Sequence, residues 1–182
     1  MWLVRHGQTE WSRERRHTGR TDLPLTTQGE EAARALGKRL ADVDFDLVLA
    51  SPLKRAWRTA ELAGMLPVAE PRLMEWDYGD YEGLTSEEIR EKVPDWSLWS
   101  HPIPGGESIE QVAARTDAVL ADVRARPGRR CLVVAHGHVL RVLTTRWIDE
   151  PPRVGAHLAL DTATIGVLAL DRGEPVVQRW NA

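Results

Sequence analysis

The sequence has a single cysteine, no long apolar run and nearly balanced charge. Cys131 cannot form an internal disulfide, which fits the reducing cytosol, and we expect its side chain to be buried in a strand. No apolar run reaches the ~18 residues that a membrane-spanning helix requires. The chain begins on a predicted strand, so we expect no secretory signal ahead of the fold. These absences favour a cytoplasmic protein without a membrane anchor.

The charge balance narrows the range of partners. The chain has 24 Lys and Arg residues against 27 Asp and Glu residues, a formal net charge of −3. This balance disfavours nucleic acid or an anionic membrane as the main partner, because both select basic surfaces. With 182 residues, 42% hydrophobic and 28% charged, the chain can build an ample core. We expect a single domain over residues 1–182.

Apolar strands alternate with amphipathic helices along the chain. Hydrophobic spacing predicts helices at 28–41, after Ser51 with Pro52 in the first helical position, from Thr85, at 108–124 and at 139–148. Capping-box patterns occur at 27–30, 85–88 and 108–111. The tail contains three predicted strands, HLAL, IGVLAL and VVQRW. This order predicts a three-layer α/β/α sandwich with a largely parallel central sheet, and a long, functional connection over 65–85.

Two apolar strands end in the same His-Gly pair. These are LVRHGQTEW, which contains His6, and LVVAHGHVL, which contains His136. A third strand, DLVLAS, leads into PLKRAWRTA and places Arg55 one helical turn beyond the strand end. Since ligands bind at the carboxyl ends of parallel strands, the two histidines, Arg5 and Arg55 are predicted to form a phosphate pocket.

The motifs that follow resemble those of one family. LVRHGQT, HTGRTDLPLT, ASPLKRAWRTA, LMEWDYGDYEG, PGGES and VVAHGH occur in its order and extend from residue 3 to residue 138. The chain is similar to the histidine phosphatase superfamily, which includes the cofactor-dependent phosphoglycerate mutases. It is most similar to the small bacterial acid phosphatases of that group. The resemblance implies a phosphoglycerate mutase-like fold and hydrolysis of small phosphomonoesters with no metal or cofactor.

The resemblance also implies roles for five residues. His6 is the expected nucleophile, which forms a phosphohistidine that water hydrolyses. Arg5 and Arg55 are expected to grip phosphate oxygens in bidentate fashion, and a cationic His136 to contact the same phosphoryl group. Glu75 is the expected general acid. Apolar neighbours such as Trp76, together with the phosphate dianion, are expected to raise the pKa of Glu75, so activity should prefer mildly acidic conditions.

Six further residues are expected to bind the phosphate or the substrate: Gln8, Ser12, Thr18, Gly19, Tyr78 and Gly137. The chain departs from the commoner family pattern at Gln8, Ser12 and Arg58, where Glu, Asn and Gln are frequent. Ser12 can still donate to a phosphate oxygen. The departures at Gln8 and Arg58 change the local charge.

Several features carry two interpretations. The loop with Arg13, Arg15, Arg16 and Arg20 either holds a second anionic group or is simply solvated. Trp96 and Trp99 are expected to form apolar walls of a lid, which would favour aromatic or lipophilic esters. His138 suggests zinc, but the sequence shows no partner cluster with ligand spacing. The remaining histidines, His17, His101 and His157, are expected at the surface or in loops.

The expected partner is a small phosphorylated metabolite, and three function classes stay open. A metal-independent phosphatase leads. A mutase, which returns the phosphoryl group to another hydroxyl, is the second class. It ranks below the phosphatase because the chain lacks the insertions that help longer phosphoglycerate mutases close the site on their substrate. A non-catalytic phosphate-binding module is the third class. It ranks last because such a module would be expected to lack the nucleophile or the acid, whereas both His6 and Glu75 are present. A metal-dependent hydrolase would be revealed by a chelator. Relatives form dimers or tetramers, so a homodimer is one option.

Overall fold

A computed structural model describes residues 1–126 and 128–182, and its centre is a six-stranded sheet. The strands are β1 (Trp2–Arg5), β2 (Leu47–Ala50), β3 (Val68–Ala69), β4 (Cys131–Ala135), β5 (Ile165–Asp171) and β6 (Glu174–Arg179). Their order is β3-β2-β4-β1-β5-β6. The first four strands are parallel, whereas β5 and β6 are antiparallel to their neighbours. The prediction of a largely parallel sheet is confirmed.

Helices cover both faces of the sheet. They are α1 (Glu10–Arg13), α2 (Thr27–Leu40), α3 (Lys54–Leu62), α4 (Ser86–Arg90), α5 (Ile109–Arg124) and α6 (Gly137–Trp147). Successive strand residues point to opposite faces, so Val4 and Val134 pack with α2 and α3, whereas Leu3 and Val133 pack with α5 and α6. The three-layer α/β/α sandwich is therefore confirmed. Cys131 is buried in β4, as expected.

Helix starts follow the capping pattern at two of three predicted places. Thr85 and Ser108 cap α4 and α5 and form reciprocal capping boxes with Glu88 and Gln111. The prediction of Thr27 as a cap is wrong. The side chain of Thr26 accepts from the Gly29 amide, and α2 begins at Thr27.

Two other helix starts differ from the sequence prediction. Pro52 does not occupy the first position of α3, because the helix begins at Lys54 with Leu53 as its N-cap. The helix predicted at 139–148 begins two residues earlier, at Gly137. Its first turn is stabilised by a carboxylate from a distant segment, which no local pattern shows.

The tail contains two strands rather than the three predicted. The segment HLAL begins at the last residue of a 3₁₀ helix, Pro152–His157, and pairs with none of the described strands. Backbone carbonyl groups in this region accept hydrogen bonds from arginine side chains and not from the amides of a neighbouring strand. Arg141 donates to the carbonyls of Gly155 and Ala156, and Arg5 donates to the carbonyl of Leu160. The two remaining strands, β5 and β6, form an antiparallel pair.

The long connection over 65–85 carries β3 and two 3₁₀ helices, Pro71–Leu73 and Gly79–Tyr81. It packs against the PGGES segment at Gly79, whose φ is 45°. A Cβ at Gly79 would overlap the carbonyl oxygen of Pro104, so this approach requires glycine. The connection thereby holds Glu75 close to the end of β4.

Among the described residues, no helix has the length and apolar character to cross a membrane.

Replacing Thr26 by Ala is expected to lower the free energy of unfolding by about 1 kcal/mol, because α2 loses its cap. Thr27→Ala is the matched control, because Thr27 is exposed in the first turn and should change stability by only a few tenths of a kcal/mol. Urea denaturation of both variants measures the difference. Equal losses in the two variants would show that the cap is assigned to the wrong threonine.

Candidate active site

The two predicted histidines meet at the carboxyl ends of neighbouring parallel strands. Arg5 in β1 pairs with Ala135 in β4, so the next residue of each strand, His6 and His136, leaves the sheet at the same level. The His6 amide donates to the Ala135 carbonyl at 2.9 Å. The ring centroids of the two histidines lie 5.1 Å apart, and both side chains are buried.

The tautomer of His6 follows from one hydrogen bond. Its Nδ1 lies 2.7 Å from the carbonyl oxygen of Gly7. A carbonyl oxygen only accepts, so Nδ1 carries the hydrogen and Nε2 carries the lone pair. In the described part of the chain Nε2 has no hydrogen-bond partner. Burial lowers the pKa of His6 well below 6.5, assisted by Arg55 and Arg5, so the ring is neutral. A neutral imidazole with a free Nε2 is a competent nucleophile.

The turn after His6 is fixed by close backbone packing. The Gly7 amide donates to Oγ1 of Thr59 at 3.0 Å, and that hydroxyl donates to the carbonyl of Arg55. A Cβ on Gly7 would overlap the carbonyl oxygen of Gly29 at the start of α2. The carbonyl that orients His6 therefore belongs to a turn that α2 and α3 hold from two sides.

Arg55 is fully buried and its guanidinium makes four hydrogen bonds within the protein. Nε donates to Nδ1 of His136 at 3.0 Å, Nη1 donates to the carbonyl of Thr21, and Nη2 donates to the carbonyls of Thr18 and Gly19. This arrangement differs from the expected bidentate contact with phosphate. Arg55 instead ties the loop at 18–21 to His136.

His136 is neutral in this arrangement. Because arginine only donates, Nδ1 of His136 accepts, and Nε2 donates to Oγ of Ser51 at 2.7 Å. Burial lowers the pKa of His136 well below 6.5, and the Arg55 charge lowers it further. In the unliganded protein both ring nitrogens therefore have protein partners, and the contact of a cationic His136 with a phosphoryl group stays a prediction.

Arg5 keeps donors available. Its guanidinium lies against the Cα of Gly137, where an added Cβ would be 3.3 Å from Cζ. Nη1 donates to the carbonyl of Leu160, whereas Nε is buried with no partner among the described residues. A buried N–H without an acceptor is unfavourable, so an anion beside Arg5 would satisfy it.

Three backbone amides hold the Glu75 carboxylate. Oε1 accepts from Trp76 at 2.9 Å and from Val139 at 2.8 Å, and Oε2 accepts from His138 at 2.9 Å. The last two amides belong to the first turn of α6, whose N-cap, His136, supplies no side-chain cap. Glu75 therefore caps α6 from a different segment of the chain.

The surroundings of Glu75 differ from the apolar ones that the sequence suggested. Three N–H groups face the carboxylate, and the indole Nε1 of Trp76 donates elsewhere, to the carbonyl of Glu107.

A cavity of about 370 Å³ opens beside these groups. Seven predicted site residues line it: Arg5, His6, Ser12, Thr18, Glu75, Tyr78 and Gly137. Four do not, namely Gln8, Gly19, Arg55 and His136. Of these four, Arg55 and His136 are fully buried.

The predicted binding residues Gln8, Gly19 and Ser12 are engaged with the protein itself. The side-chain oxygen of Gln8 accepts from the Thr26 hydroxyl at 3.1 Å, and the Gly19 amide donates to Glu82 at 2.8 Å. The sequence had suggested that Gly19 binds the phosphate or the substrate. In the structure its amide already donates to Glu82. The Ser12 hydroxyl lines the cavity but donates to the carbonyl of Thr9 within the capping box of α1.

Sequence reasoning missed part of the cavity wall. His17, expected at the surface or in a loop, has its ring centroid 4.8 Å from that of Tyr78 and lines the cavity. His138 and Arg141 also line it. Their spacing was the available signal, because residues three apart near the start of a helix share one face. His157 is exposed, as expected.

The arginine-rich loop divides into two pairs. Arg15 and Arg16 line the cavity. Arg13 lies 3.9 Å from carboxylates of Glu10 and Glu14 at the surface, and Arg20 pairs with Asp77 and Glu107. Arg16 also pairs with the carboxylates of Glu14 and Glu88, each at 3.1 Å. The second-anion interpretation therefore applies first to Arg15.

The prediction that Trp96 and Trp99 form the apolar walls of a lid is wrong. Trp96 is 1% exposed and belongs to the core, and Trp99 lies behind the wall, 4.5 Å from the Arg141 guanidinium. Neither ring lines the cavity. Polar and cationic groups dominate the wall instead, so the structure does not support a preference for lipophilic esters.

No group of three or more His, Cys, Asp or Glu residues is placed to hold a metal ion within residues 1–126 and 128–182. The zinc interpretation of His138 accordingly finds no ligand set there.

Comparison with known proteins identifies relatives over the whole chain. The model of the histidine phosphatase superfamily (branch 1) matches residues 1–182. An acid phosphatase of Mycobacterium tuberculosis (strain ATCC 25618 / H37Rv) is 44% identical over 176 residues, which cover 94% of this chain and 86% of that protein. A probable phosphoglycerate mutase of Enterobacter sp. (strain 638) is 31% identical over 191 residues, 99% of this chain and 89% of that protein. The solved structure of an open reading frame from Mycobacterium tuberculosis has a TM-score of 0.95 and 40% identity, covering 99% of this chain and 95% of that one.

The stability of the fold is expected to fall in acid partly through His17. Burial lowers its pKa from 6.5 to about 4, with smaller effects from Glu87 and Arg90. The unfolded chain therefore binds a proton at His17 more readily than the folded chain does. The stability that depends on a neutral His17 is complete above pH 6.5 and is lost as the pH falls toward 4. In that window the loss approaches about 1.4 kcal/mol per pH unit.

Urea denaturation between pH 7.5 and 4.5 measures this contribution. His17→Phe should flatten the pH dependence, because the buried ring remains but no longer titrates. His157→Phe, at an exposed position, is the matched control and should leave the slope unchanged. Parallel pH profiles for wild type and His17→Phe would contradict the assignment.

Proposed function

The chain belongs to the histidine phosphatase superfamily, and we propose that it hydrolyses small phosphomonoesters through a phosphohistidine on His6. The observation that carries the proposal is the state of the His6 ring. The Gly7 carbonyl holds the hydrogen on Nδ1, burial keeps the ring neutral, and Nε2 is free. The relatives named as an acid phosphatase and as a probable phosphoglycerate mutase make phosphoryl chemistry at this site consistent with the family.

In the first step Nε2 of His6 attacks phosphorus and the bond from phosphorus to the ester oxygen breaks. Glu75 gives its proton to the departing alkoxide, which leaves as the alcohol. Oε1 of Glu75 accepts two amide hydrogens and Oε2 accepts one, so Oε2 is the oxygen with room to carry that proton.

In the second step water attacks the phosphohistidine and the bond between Nε2 and phosphorus breaks. The Glu75 carboxylate takes the proton from water, and inorganic phosphate leaves. His6 returns to its neutral state and Glu75 to its protonated state. The sum of the two steps is one ester and one water converted into one alcohol and one phosphate.

Arg5 is the proposed charge-stabilising residue, because its unpartnered Nε is buried beside the cavity. The Arg55 guanidinium contributes positive charge from behind the wall and positions His136. Phosphoryl transfer depends mainly on such positioning and charge neutralisation. Because the first step requires a protonated Glu75, activity is proposed to prefer mildly acidic conditions.

A mutase is the second candidate, because the probable phosphoglycerate mutase aligns over 99% of this chain. In a mutase the phosphohistidine would pass its phosphoryl group to a second hydroxyl rather than to water. Arg15 at the cavity wall would then face the additional anionic group.

Phosphorus NMR separates the two candidates and tests the nucleophile. We expect 3-phosphoglycerate, incubated with trace 2,3-bisphosphoglycerate and a chelator, to yield inorganic phosphate without 2-phosphoglycerate. His6→Ala should reduce the rate at least about a thousandfold, whereas His157→Ala, at an exposed position, should match wild type. Accumulation of 2-phosphoglycerate would favour the mutase, and loss of activity with chelator would favour a metal-dependent hydrolase.

Glu75→Gln should slow hydrolysis in a way that depends on the leaving group. Alkyl phosphates should lose about a hundredfold or more, because an alkoxide needs a proton as it departs. p-Nitrophenyl phosphate should lose much less, because its phenolate leaves without one. The kcat ratio between the two substrates is the measurement, and Glu110→Gln, at an exposed position of α5, is the control. An equal loss for both substrates would contradict a general-acid role.

A further inference from the structure

We propose that His138 determines substrate specificity by donating a hydrogen bond from Nε2 to an oxygen of the substrate alcohol, and that Tyr78 positions it. The ligand class is phosphomonoesters whose alcohol carries a hydroxyl or carboxylate near the ester oxygen. The proposal rests on the proposed phosphatase function, which places such an alcohol in the cavity.

The tautomer of His138 follows from its bond with Tyr78. The phenolic oxygen lies 2.6 Å from Nδ1, and within the described residues it has no other partner. Tyr78 is 1% exposed, so a hydroxyl that accepted from Nδ1 would leave its own hydrogen buried and unpaired. The hydroxyl therefore donates, Nδ1 accepts, and the ring hydrogen of His138 is on Nε2.

Nε2 of His138 is available to a ligand. The ring lines the cavity, the side chain is 24% exposed, and Nε2 has no partner in the part of the chain that the structure describes. An N–H directed into a cavity of about 370 Å³ is a recognition element, because a ligand oxygen replaces water there.

The position of His138 relative to Glu75 identifies which part of the substrate it reaches. The His138 amide holds Oε2 of Glu75 at 2.9 Å, and its Nδ1 lies 3.9 Å from the same oxygen. Glu75 must reach the ester oxygen to protonate it. The alcohol attached to that oxygen therefore lies beside the His138 ring.

The charge state of the wall fits a polar rather than an ionic contact. Burial and the nearby Arg141 lower the pKa of His138 well below 6.5, and burial lowers that of His17 to about 4. Burial and Glu75 raise the pKa of Tyr78 well above 10. Near neutral pH all three groups are uncharged hydrogen-bonding groups, which suit hydroxyl and carboxylate oxygens.

Tyr78 acts through His138 rather than directly on the substrate. The sequence had suggested a direct contact, but the hydroxyl is already committed to Nδ1. The phenol also packs against two imidazoles, with centroid distances of 4.8 Å to His17 and 5.9 Å to His138. Its hydroxyl thus fixes both the orientation and the tautomer of His138.

The test compares glycerol 3-phosphate with propyl phosphate, which share a three-carbon alcohol and differ in two hydroxyls. We expect wild type to prefer glycerol 3-phosphate by roughly three- to tenfold in kcat/KM, the worth of one hydrogen bond. His138→Ala and Tyr78→Phe should each bring the ratio close to one, and the double variant should change it no further. Tyr81→Phe, which alters the other tyrosine of the chain, should keep the wild-type ratio.

Nitrogen NMR of the His138 ring gives a readout independent of turnover. Wild type should show the Nε2-protonated form, and Tyr78→Phe a mixture of tautomers. A preference that persists in His138→Ala, additive losses in the double variant, or an Nδ1-protonated ring in wild type would overturn the proposal. If instead wild type hydrolyses neither ester nor phenyl phosphate, the proposed function fails, while the NMR result still reports on the Tyr78–His138 pair.

Discussion

The parallel pairing of β1 with β4 is the constraint from which the site is built. Its register sets Arg5 opposite Ala135, so two His-Gly turns leave the sheet side by side. The ring centroids of His6 and His136 then lie 5.1 Å apart. The six-stranded sheet and the helices on both faces fix these strand ends against the core. Because the two histidines follow directly from strands, their backbone positions are set by the central sheet.

Around this pair, each imidazole is fixed by specific hydrogen bonds, from the next residue for His6 and from distant segments for His136 and His138. The Gly7 carbonyl fixes the His6 tautomer, Arg55 and Ser51 fix that of His136, and Tyr78 fixes that of His138. Glu75 is bound to the first turn of α6, so the expected acid and the helix that carries the second histidine position each other. Burial keeps the imidazoles neutral. Among the described residues, the site therefore presents a lone pair on Nε2 of His6 and unpartnered donors on Arg5 and His138, and all three residues line the same cavity.

The sequence predicted what depends on local pattern. The strands ending at His6 and His136 and the capping boxes at Thr85 and Ser108 follow from residues close together in the chain, and the structure has them as predicted. The tail strand HLAL was wrong, because Arg5 and Arg141 bind carbonyls of that region from far away in sequence. The arrangement of Arg55 was missed for the same reason, since its acceptors lie at 18–21 and at His136. His17 and His138 could not be placed on the wall until the fold showed which faces they share.

The central claim is that the Gly7 carbonyl leaves Nε2 of His6 as the atom that attacks phosphorus. The direct measurement is to quench the protein during turnover of p-nitrophenyl phosphate and to digest it at alkaline pH, where phosphohistidine is stable. Phosphorus–proton NMR then assigns the phosphorylated nitrogen. The account predicts a phosphoryl group on Nε2 of His6. A phosphoryl group on Nδ1 of His6, on His136 or on a hydroxyl side chain would contradict it.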